Sequence, residues 1–272
     1  MKINYNFHHK KISLVDIDPY LDLVGDKNES ILHKSVNVHN FHLIKDYCKR
    51  NTKVLEIGCG WYSFLKSNCK KQIFYDGLET EHYANKFINK KKIFTLIGTV
   101  TNIPNKNEEY DLVLANQSIE HWHEYNDTIK DGLLEINRVL KLNGILAINF
   151  PFFLHGHKNF IQGNLDLILS EIDFKYWKLN NIKFYYSSSI PNYKGWKKAG
   201  FPNFFVKKIH KSTETSFCVS IDLKKIKSYS IKSSNRKVSK KKISSFKRNI
   251  QYGLIVFVYR FLRSIARKFY NN

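Results

Sequence analysis

The chain of 272 residues is 43% hydrophobic and 15% aromatic, enough to bury a substantial core, so its composition excludes a wholly disordered protein. Five prolines and 12 glycines exclude fibrous and low-complexity classes, and the four cysteines form no C-x-x-C pair, which favours reduced thiols in an intracellular setting. The net charge of +22 is concentrated late in the chain, because residues 207–272 alone contribute +16. The N-terminal stretch has no uninterrupted apolar segment, so we expect no signal peptide.

Alternating strand and helix patterns occupy the first half of the chain. Residues 1–35 are mixed and polar, and we interpret them as an N-terminal extension or lid. A rough apolar stripe predicts a helix over Val36–Lys49, and a clearer stripe predicts another over Asp127–Leu142 that stops at Asn143-Gly144. Five short β-rich runs are predicted strands: Thr52–Gly58, Gln72–Glu79, Lys92–Thr99, Tyr110–Gln117 and Gly144–Pro151. The alternation predicts an α/β fold with a doubly wound, mostly parallel sheet.

The pattern changes after Pro151. Residues 152–190 form an aromatic-rich insertion, and two β-rich runs, Asn203–Ile209 and Thr215–Asp222, predict a closing antiparallel hairpin. Residues 223–248 are almost entirely Lys, Ser, Ile and Asn, which indicates a polybasic flexible linker. An amphipathic helix is predicted over residues 249–272.

The most informative motif is VLEIGCG, which ends the first predicted strand of the sheet. Gly58 and Gly60 allow a tight turn and a close approach of the backbone to a ligand. Glu56 places a carboxylate where a cationic or amino-acid-like ligand would be favoured over a pyrophosphate. Glu79 closes the next strand, at the position where a carboxylate receives a pair of ribose hydroxyls.

These segments together resemble the class I S-adenosylmethionine-dependent methyltransferases. VLEIGCG is similar to their first motif, YDGLE to the second strand with its ribose-binding acid, and EEYDLVLANQSIEHW to the fourth strand and its loop. The resemblance covers residues 36–222 and implies a Rossmann-like, seven-stranded sheet with an antiparallel C-terminal hairpin. It implies S-adenosylmethionine as the cofactor, bound by Glu56, Gly58, Cys59, Gly60, Glu79, Thr99 and Asn116. Two positions depart from the family: Tyr62 replaces its third glycine, and Thr99 replaces an acid near the adenine.

Methyl transfer to a hydroxyl requires a group that takes its proton, and histidine has a suitable pKa. His121 follows the fourth strand, and His155 and His157 follow the fifth, so these three are the candidate bases. A structural role in capping the next helix is the alternative for His121, and a solvated loop is the alternative for the other two. A metal held by that pair with Asp166 is a weaker alternative, and no metal site is predicted.

The acceptor is predicted from weaker signals. The insertion, with the block HGHKNFIQGNLDLI and the later PNYKGWKKAGF, is similar to methyltransferases found with bacterial surface-polysaccharide synthesis. Its aromatic residues suit stacking on sugar rings or nucleobases. We therefore expect an O-methyltransferase acting on a saccharide or glycolipid acceptor. The alternatives are an RNA methyltransferase with a basic tail and a non-catalytic membrane-associated scaffold.

The end of the chain predicts a membrane surface as partner. Large apolar residues recur at helical spacing over Ile250–Phe269, with Arg and Lys largely off that stripe. Its longest apolar run is far below the roughly 20 residues that a spanning helix needs. A basic amphipathic helix behind a polybasic linker predicts a peripheral protein at the cytoplasmic face of the membrane. Docking on the protein's own surface and binding of nucleic acid remain alternatives for this segment.

Overall fold

The computed structural model describes residues 11–25, 29–60, 62–69, 73–86, 93–151, 165–189 and 217–229. All of them fall in one of two compact units, which comprises Met1–Pro191 and Lys208–Tyr229. The strands are β1 (Ile12–Asp16), β2 (Lys53–Ile57), β3 (Phe74–Glu79), β4 (Leu96–Ile97), β5 (Tyr110–Asn116), β6 (Leu140–Pro151), β7 (Trp177–Tyr186) and β8 (Cys218–Lys225). The helices are α1 (Leu21–Val24), α2 (Ile31–Tyr47), α3 (Phe64–Asn68), α4 (Glu81–Lys86), α5 (Ile129–Val139) and α6 (Leu165–Glu171), with 3-10 turns at Asp18–Tyr20 and Ile119–Tyr125.

The strands form one mixed sheet in the order β1-β7-β8-β6-β5-β2-β3-β4. All neighbouring pairs are parallel except those of β8, which runs antiparallel to both β6 and β7. The central strands are apolar runs because both faces are covered, and Leu55, Val113 and Leu146 have no exposed surface. The predicted α/β class with a mostly parallel sheet is therefore confirmed.

The sheet has eight strands rather than the seven expected. The additional strand is β1, which pairs in parallel with β7 at one edge of the sheet. It lies within residues 1–35, which the sequence had suggested as an extension or lid. Five residues with only partial burial give too short an alternation to distinguish an edge strand from a loop.

The predicted helix stop at Asn143-Gly144 is wrong. Helix α5 ends at Val139, and β6 begins at the next residue. The β5–β6 register then shifts between Tyr110, which faces Leu140, and Leu112, which faces Ile145. Asn143 has a φ of 66° in this irregularity. The left-handed conformation that asparagine tolerates serves a strand bulge as well as a helix end, so the residue type alone could not distinguish them.

The antiparallel partner of β8 comes from an unexpected place. It is β7, inside the stretch predicted as an acceptor-binding insertion, whereas residues 203–209 lie outside the described residues. β8 continues past the predicted domain boundary at residue 222. Its last residue, Lys225, is fully buried and donates hydrogen bonds from Nζ to the carbonyl oxygens of Asn137 and Leu140. The predicted C-terminal helix, residues 249–272, lies outside the described residues.

Candidate active site at the carboxyl ends of the strands

The sheet reverses its strand order at β2, which makes a natural ligand site. β2 pairs with β3 on one side and with β5 on the other, and all three run in the same direction. Ligands of open α/β sheets bind at the carboxyl ends of strands where the order reverses. The structure brings Gly58, Gly60, Glu79 and Asn116 together at this edge, as the sequence predicted.

The turn after β2 is built around two glycines with positive φ. Gly58 has a φ of 68°, and a Cβ there would lie 2.8 Å from Cβ of Ser118 in the segment after β5. Gly60 has a φ of 60°, and a Cβ there would meet nothing within 4 Å. The first glycine is therefore required by the neighbouring loop, whereas a side chain at the second would face open space. Cys59 between them is buried.

Glu79 connects the end of β3 to this glycine turn. Its Oε2 accepts a hydrogen bond from the Gly60 amide at 3.0 Å, and its Oε1 accepts one from the Thr80 amide at 2.9 Å. Burial raises the pKa of Glu79, although both amide bonds act in the opposite direction. A carboxylate that is fixed by two backbone amides at this edge can still accept hydroxyl hydrogens on its remaining lone pairs.

Glu56 is more enclosed than the sequence suggested. Its carboxylate accepts hydrogen bonds from the hydroxyls of Ser63 and Tyr75, at 2.7 Å for Tyr75, and from Nδ2 of Asn116 at 3.2 Å. Burial raises its pKa despite these three bonds. Nδ2 of Asn116 also donates to Oδ1 of Asn40 on α2. Glu56 thus fastens α3, β3 and β5 to β2, and its predicted contact with the cofactor stays a prediction.

Thr99 lies beyond β4, in a short bridge with Asn102. The sequence did not show that a carboxylate reaches this point from elsewhere in the chain. Asp127, just before α5, accepts a hydrogen bond from the hydroxyl of Thr101, which itself lies 3.2 Å from the Thr99 hydroxyl. Burial raises the pKa of Asp127. The carboxylate of Asp127 therefore lies near Thr99, the position at which the family has an acid. The spacing of these residues in the sequence does not predict this proximity.

The end of β5 and the segment after it contain buried polar atoms without partners among the described residues. They are Oδ1 of Asn116, Oγ of Ser118 and both carboxyl oxygens of Glu120. Burial raises the pKa of Glu120 to about 7. Such atoms are costly unless something bonds to them. Ser118 lies beside Gly58, and Asn116 ends the neighbouring strand. Oxygen acceptors at this edge suit the ammonium group of S-adenosylmethionine, so the residues present fit that cofactor.

His121 forms a pair with Glu124 in the 3-10 turn after β5. Its Nδ1 lies 2.7 Å from Oε1 of Glu124, and its side chain is 32% exposed. Burial lowers the pKa of His121, but the hydrogen bond to Glu124 and the charges of Glu120 and Glu124 outweigh it, so the net pKa is raised. His155 and His157 lie outside the described residues. In the described part of the chain, no three His, Cys, Asp or Glu side chains are placed to hold a metal ion.

Comparison with known proteins identifies the class of this site. Residues 55–148 match the protein family described as "Methyltransferase domain". The match begins within β2 and ends within β6, and it includes Gly58, Gly60, Glu79, Asn116 and His121. Residues 55–148 are therefore similar to a methyltransferase domain, and the cofactor is S-adenosylmethionine. No curated protein sequence matches the chain.

Solved structures match the chain at low identity and with TM-scores below 0.5. A candidate sarcosine dimethylglycine methyltransferase from Galdieria sulphuraria is 17% identical, with 77% of this chain and 91% of that chain covered and a TM-score of 0.49. Geranyl diphosphate C-methyltransferase from Streptomyces coelicolor A3(2) is 12% identical, with 77% and 88% covered and a TM-score of 0.46. The YcgJ protein from Bacillus subtilis is 15% identical, with 72% and 99% covered and a TM-score of 0.46. Similarities at this level bear on neither the acceptor nor the roles of individual residues.

Proposed function

We propose that the chain transfers a methyl group from S-adenosylmethionine to a hydroxyl of a sugar or glycolipid precursor of a cell-surface polysaccharide. The observation that supports methylation of a hydroxyl is the hydrogen-bonded pair His121–Glu124, which follows β5 near the point where the strand order reverses. A hydroxyl must lose its proton as it is alkylated, and a positioned imidazole can take that proton. A methyltransferase for carbon or for an already basic amine would have less use for such a pair.

The pair fixes the tautomer of the neutral His121 ring. When Glu124 is ionised it can only accept, so Nδ1 of His121 carries the hydrogen and donates it, and the lone pair of the neutral ring lies on Nε2. S-adenosylmethionine, when bound, supplies an electrophilic methyl group. Neutral His121 takes the hydroxyl proton on Nε2, and the carboxylate of Glu124 stabilises the resulting imidazolium.

The side chains of the predicted insertion divide between core and surface. Trp177, Phe184 and Tyr185 of β7 are buried and belong to the core of the sheet. Phe174 is 40% exposed, and the ring of Tyr176 packs at a tilt against that of Tyr229, with centroids 4.5 Å apart. The buried aromatic side chains of β7 are therefore not available to stack on a sugar ring, and the saccharide acceptor rests on the resemblance of the insertion.

The same proposal includes peripheral attachment to the cytoplasmic face of the membrane through residues 249–272. None of the helices in the described ranges is long and apolar enough to cross a membrane. A truncation that tests the attachment should begin after Tyr229. A boundary at residue 223 or 224 would remove buried Lys225 and the bond from the Tyr229 amide to Oδ1 of Asn137.

Co-sedimentation with anionic and with neutral lipid vesicles tests this attachment. We expect the full chain to bind anionic vesicles, with an affinity that falls as salt rises, and the chain ending at Tyr229 to stay in the supernatant. Equal binding by both chains would contradict the attachment.

The acceptor is tested with tritiated S-adenosylmethionine and fractions of the native cells. Envelope lipids, soluble polysaccharide and total RNA are incubated separately with the full chain and with His121→Ala. We expect label in the lipid or polysaccharide fraction, stable to mild base as an ether would be, and little label with the variant. Label confined to RNA would replace the saccharide proposal with an RNA methyltransferase.

A further inference from the structure

Gln117, the first residue after β5, has a backbone conformation that its residue type disfavours. Its φ is 47°, in the left-handed region, where glycine and asparagine are far more common. The other non-glycine residues with positive φ among those described are Glu108, which accepts a hydrogen bond from buried Lys225, and the asparagines at 51, 126 and 143. A glutamine retained in such a conformation at the edge of a candidate active site points to a use for its side chain.

Two hydrogen bonds to Asn149, near the end of β6, hold Gln117 in place. The backbone amide of Gln117 donates to the carbonyl oxygen of Asn149 at 2.7 Å, and Nε2 of Gln117 donates to Oδ1 of Asn149 at 2.7 Å. Asn149 is fully buried and in turn donates from Nδ2 to Sγ of Cys218 on β8. Sγ of Cys218 lies 3.2 Å from Oγ of Ser35 on α2. The orientation of the Gln117 carboxamide is therefore fixed by three other elements of the fold.

This arrangement leaves half of the carboxamide unused. Nε2 has two hydrogens, of which one is donated to Asn149, and this is the one side-chain hydrogen bond that Gln117 makes with the described residues, so Oε1 accepts none from them. The side chain is half-buried, so it is reachable. Gln117 follows Asn116 directly and precedes His121 by four residues. Its hydrogen bond to Asn149 directs the side chain from the end of β5 toward β6. The side chain is therefore directed away from the glycine turn after β2, because β6 and β2 lie on opposite sides of β5.

We propose that Gln117 binds the methyl acceptor and orients it toward His121. Its free N–H and Oε1 match a neighbouring oxygen acceptor and hydroxyl donor, such as two adjacent hydroxyls of a sugar, one of which is methylated. Asn149 is then a positioning residue, which acts through Gln117. This inference rests on the proposed function, because it requires an acceptor with a second polar group beside the reacting hydroxyl.

Gln117→Gly separates this role from a structural one. Glycine adopts the observed φ without strain, so the variant loses the side chain while its backbone becomes easier to form. Asn143→Gly is the matched control, because it makes the same kind of change at an exposed residue with a φ of 66° at the opposite end of β6. A residue that merely shapes the turn would be replaced by glycine without loss of activity.

The experiment measures acceptor methylation and cofactor binding in the full chain. Tritium transfer is followed at several dilutions of whichever native-cell fraction the unaltered protein labels, and S-adenosylhomocysteine affinity is measured by calorimetry. We expect Gln117→Gly to lower kcat/KM for the acceptor by about 10- to 100-fold, as loss of one or two hydrogen bonds would. We expect most of the loss in KM, an S-adenosylhomocysteine affinity within about twofold, and no change in Asn143→Gly.

Two results would overturn the assignment. Unchanged acceptor kinetics in Gln117→Gly would show that the side chain does not meet the acceptor. An equal fall in S-adenosylhomocysteine affinity would show that it serves the cofactor instead. The chemical nature of the labelled fraction tests the saccharide proposal separately, because the ratio between variant and unaltered protein is read on that fraction whatever it contains.

Discussion

The turns that follow β2 and β5 touch each other at Gly58 and Ser118, yet they differ in how their polar groups are satisfied. On the β2–β3 side, both carboxyl oxygens of Glu79 are bonded to backbone amides, and Glu56 is bonded by three side chains. On the β5 side, Asn116, Ser118 and Glu120 all have buried polar atoms without partners among the described residues. The polar groups on the β2–β3 side are therefore bonded within the protein, whereas several on the β5 side are not bonded by the described residues.

This difference suggests a division of labour within one site. Side chains that are already fixed, as on the β2–β3 side, can bind a cofactor without reorganisation, so substitutions there should mainly alter cofactor affinity. On the β5 side, Asn116 and Ser118 also face the cofactor, whereas changes at His121 and Gln117 should mainly alter the rate of transfer or the affinity for the acceptor. The variants below test that division, from the largest expected effect to the smallest.

Removal of the proposed base should give the largest effect. We expect His121→Ala to lower kcat by roughly 10²- to 10⁴-fold, because the hydroxyl proton then has no positioned acceptor. S-adenosylhomocysteine affinity, measured by calorimetry, should change little. His33→Ala is the control, since His33 is exposed on α2. Full activity in His121→Ala would assign the residue a structural role and leave His155 and His157 as the candidate bases.

A change on the β2–β3 side should act on binding instead. We expect Glu79→Ala to weaken S-adenosylhomocysteine binding by about 10- to 150-fold, the range for loss of a charged hydrogen-bond partner worth roughly 1.5–3 kcal/mol. Glu81→Ala, two residues further at an exposed position of α4, should bind as the unaltered protein does. Equal affinities for both variants, with Glu79→Ala shown to be folded by circular dichroism, would remove Glu79 from the site.

The dependence of kcat on pH should locate the base on the β5 side. The pKa of His121 is raised above its ordinary 6.5, and the base must be neutral, so kcat should fall as pH decreases through a value above 6.5. Glu124→Gln removes the charge that favours the imidazolium, so the acid limb of the profile should move to lower pH. Burial raises the pKa of Glu120 to about 7, in the same range. Glu120→Gln must therefore be measured as well, and an acid limb that only this variant abolishes would assign the titration to Glu120.

The smallest effects should come from the two glycines and should be measured by urea unfolding. Gly60→Ala should reduce the free energy of unfolding by about 1–2 kcal/mol, the cost of the left-handed conformation for an L-residue. Gly58→Ala adds a contact of 2.8 Å with Ser118 to that cost and should be the less stable variant. The reverse order of stability would contradict the close approach of the two turns.

The sequence predicted the two sides of the site to different extents, for a physical reason. Gly58, Gly60 and Glu79 lie on adjacent strand ends, so a strand pattern and short spacings are enough to bring them together. The bonds from Thr101 to Asp127 and from Gln117 to Asn149 join residues 26 and 32 positions apart and depend on loop conformation. Strand β1 was missed because an edge strand with mixed burial has little periodicity. Strand β7 was missed because its aromatic residues were interpreted as part of an acceptor-binding insertion.

Amide hydrogen exchange with and without S-adenosylhomocysteine tests the central claim most directly, since it reports on both turns in one measurement. Ligand should slow exchange in peptides that contain residues 58–60, 79–80 and 116–120, because a ligand bonded to the groups of both turns makes local opening of their backbones less frequent. Peptides within β7 and β8, which build the far side of the sheet, should be unaffected. Protection confined to the far side, or absent after β5 at saturating ligand, would contradict a cofactor site at the β2–β5 edge.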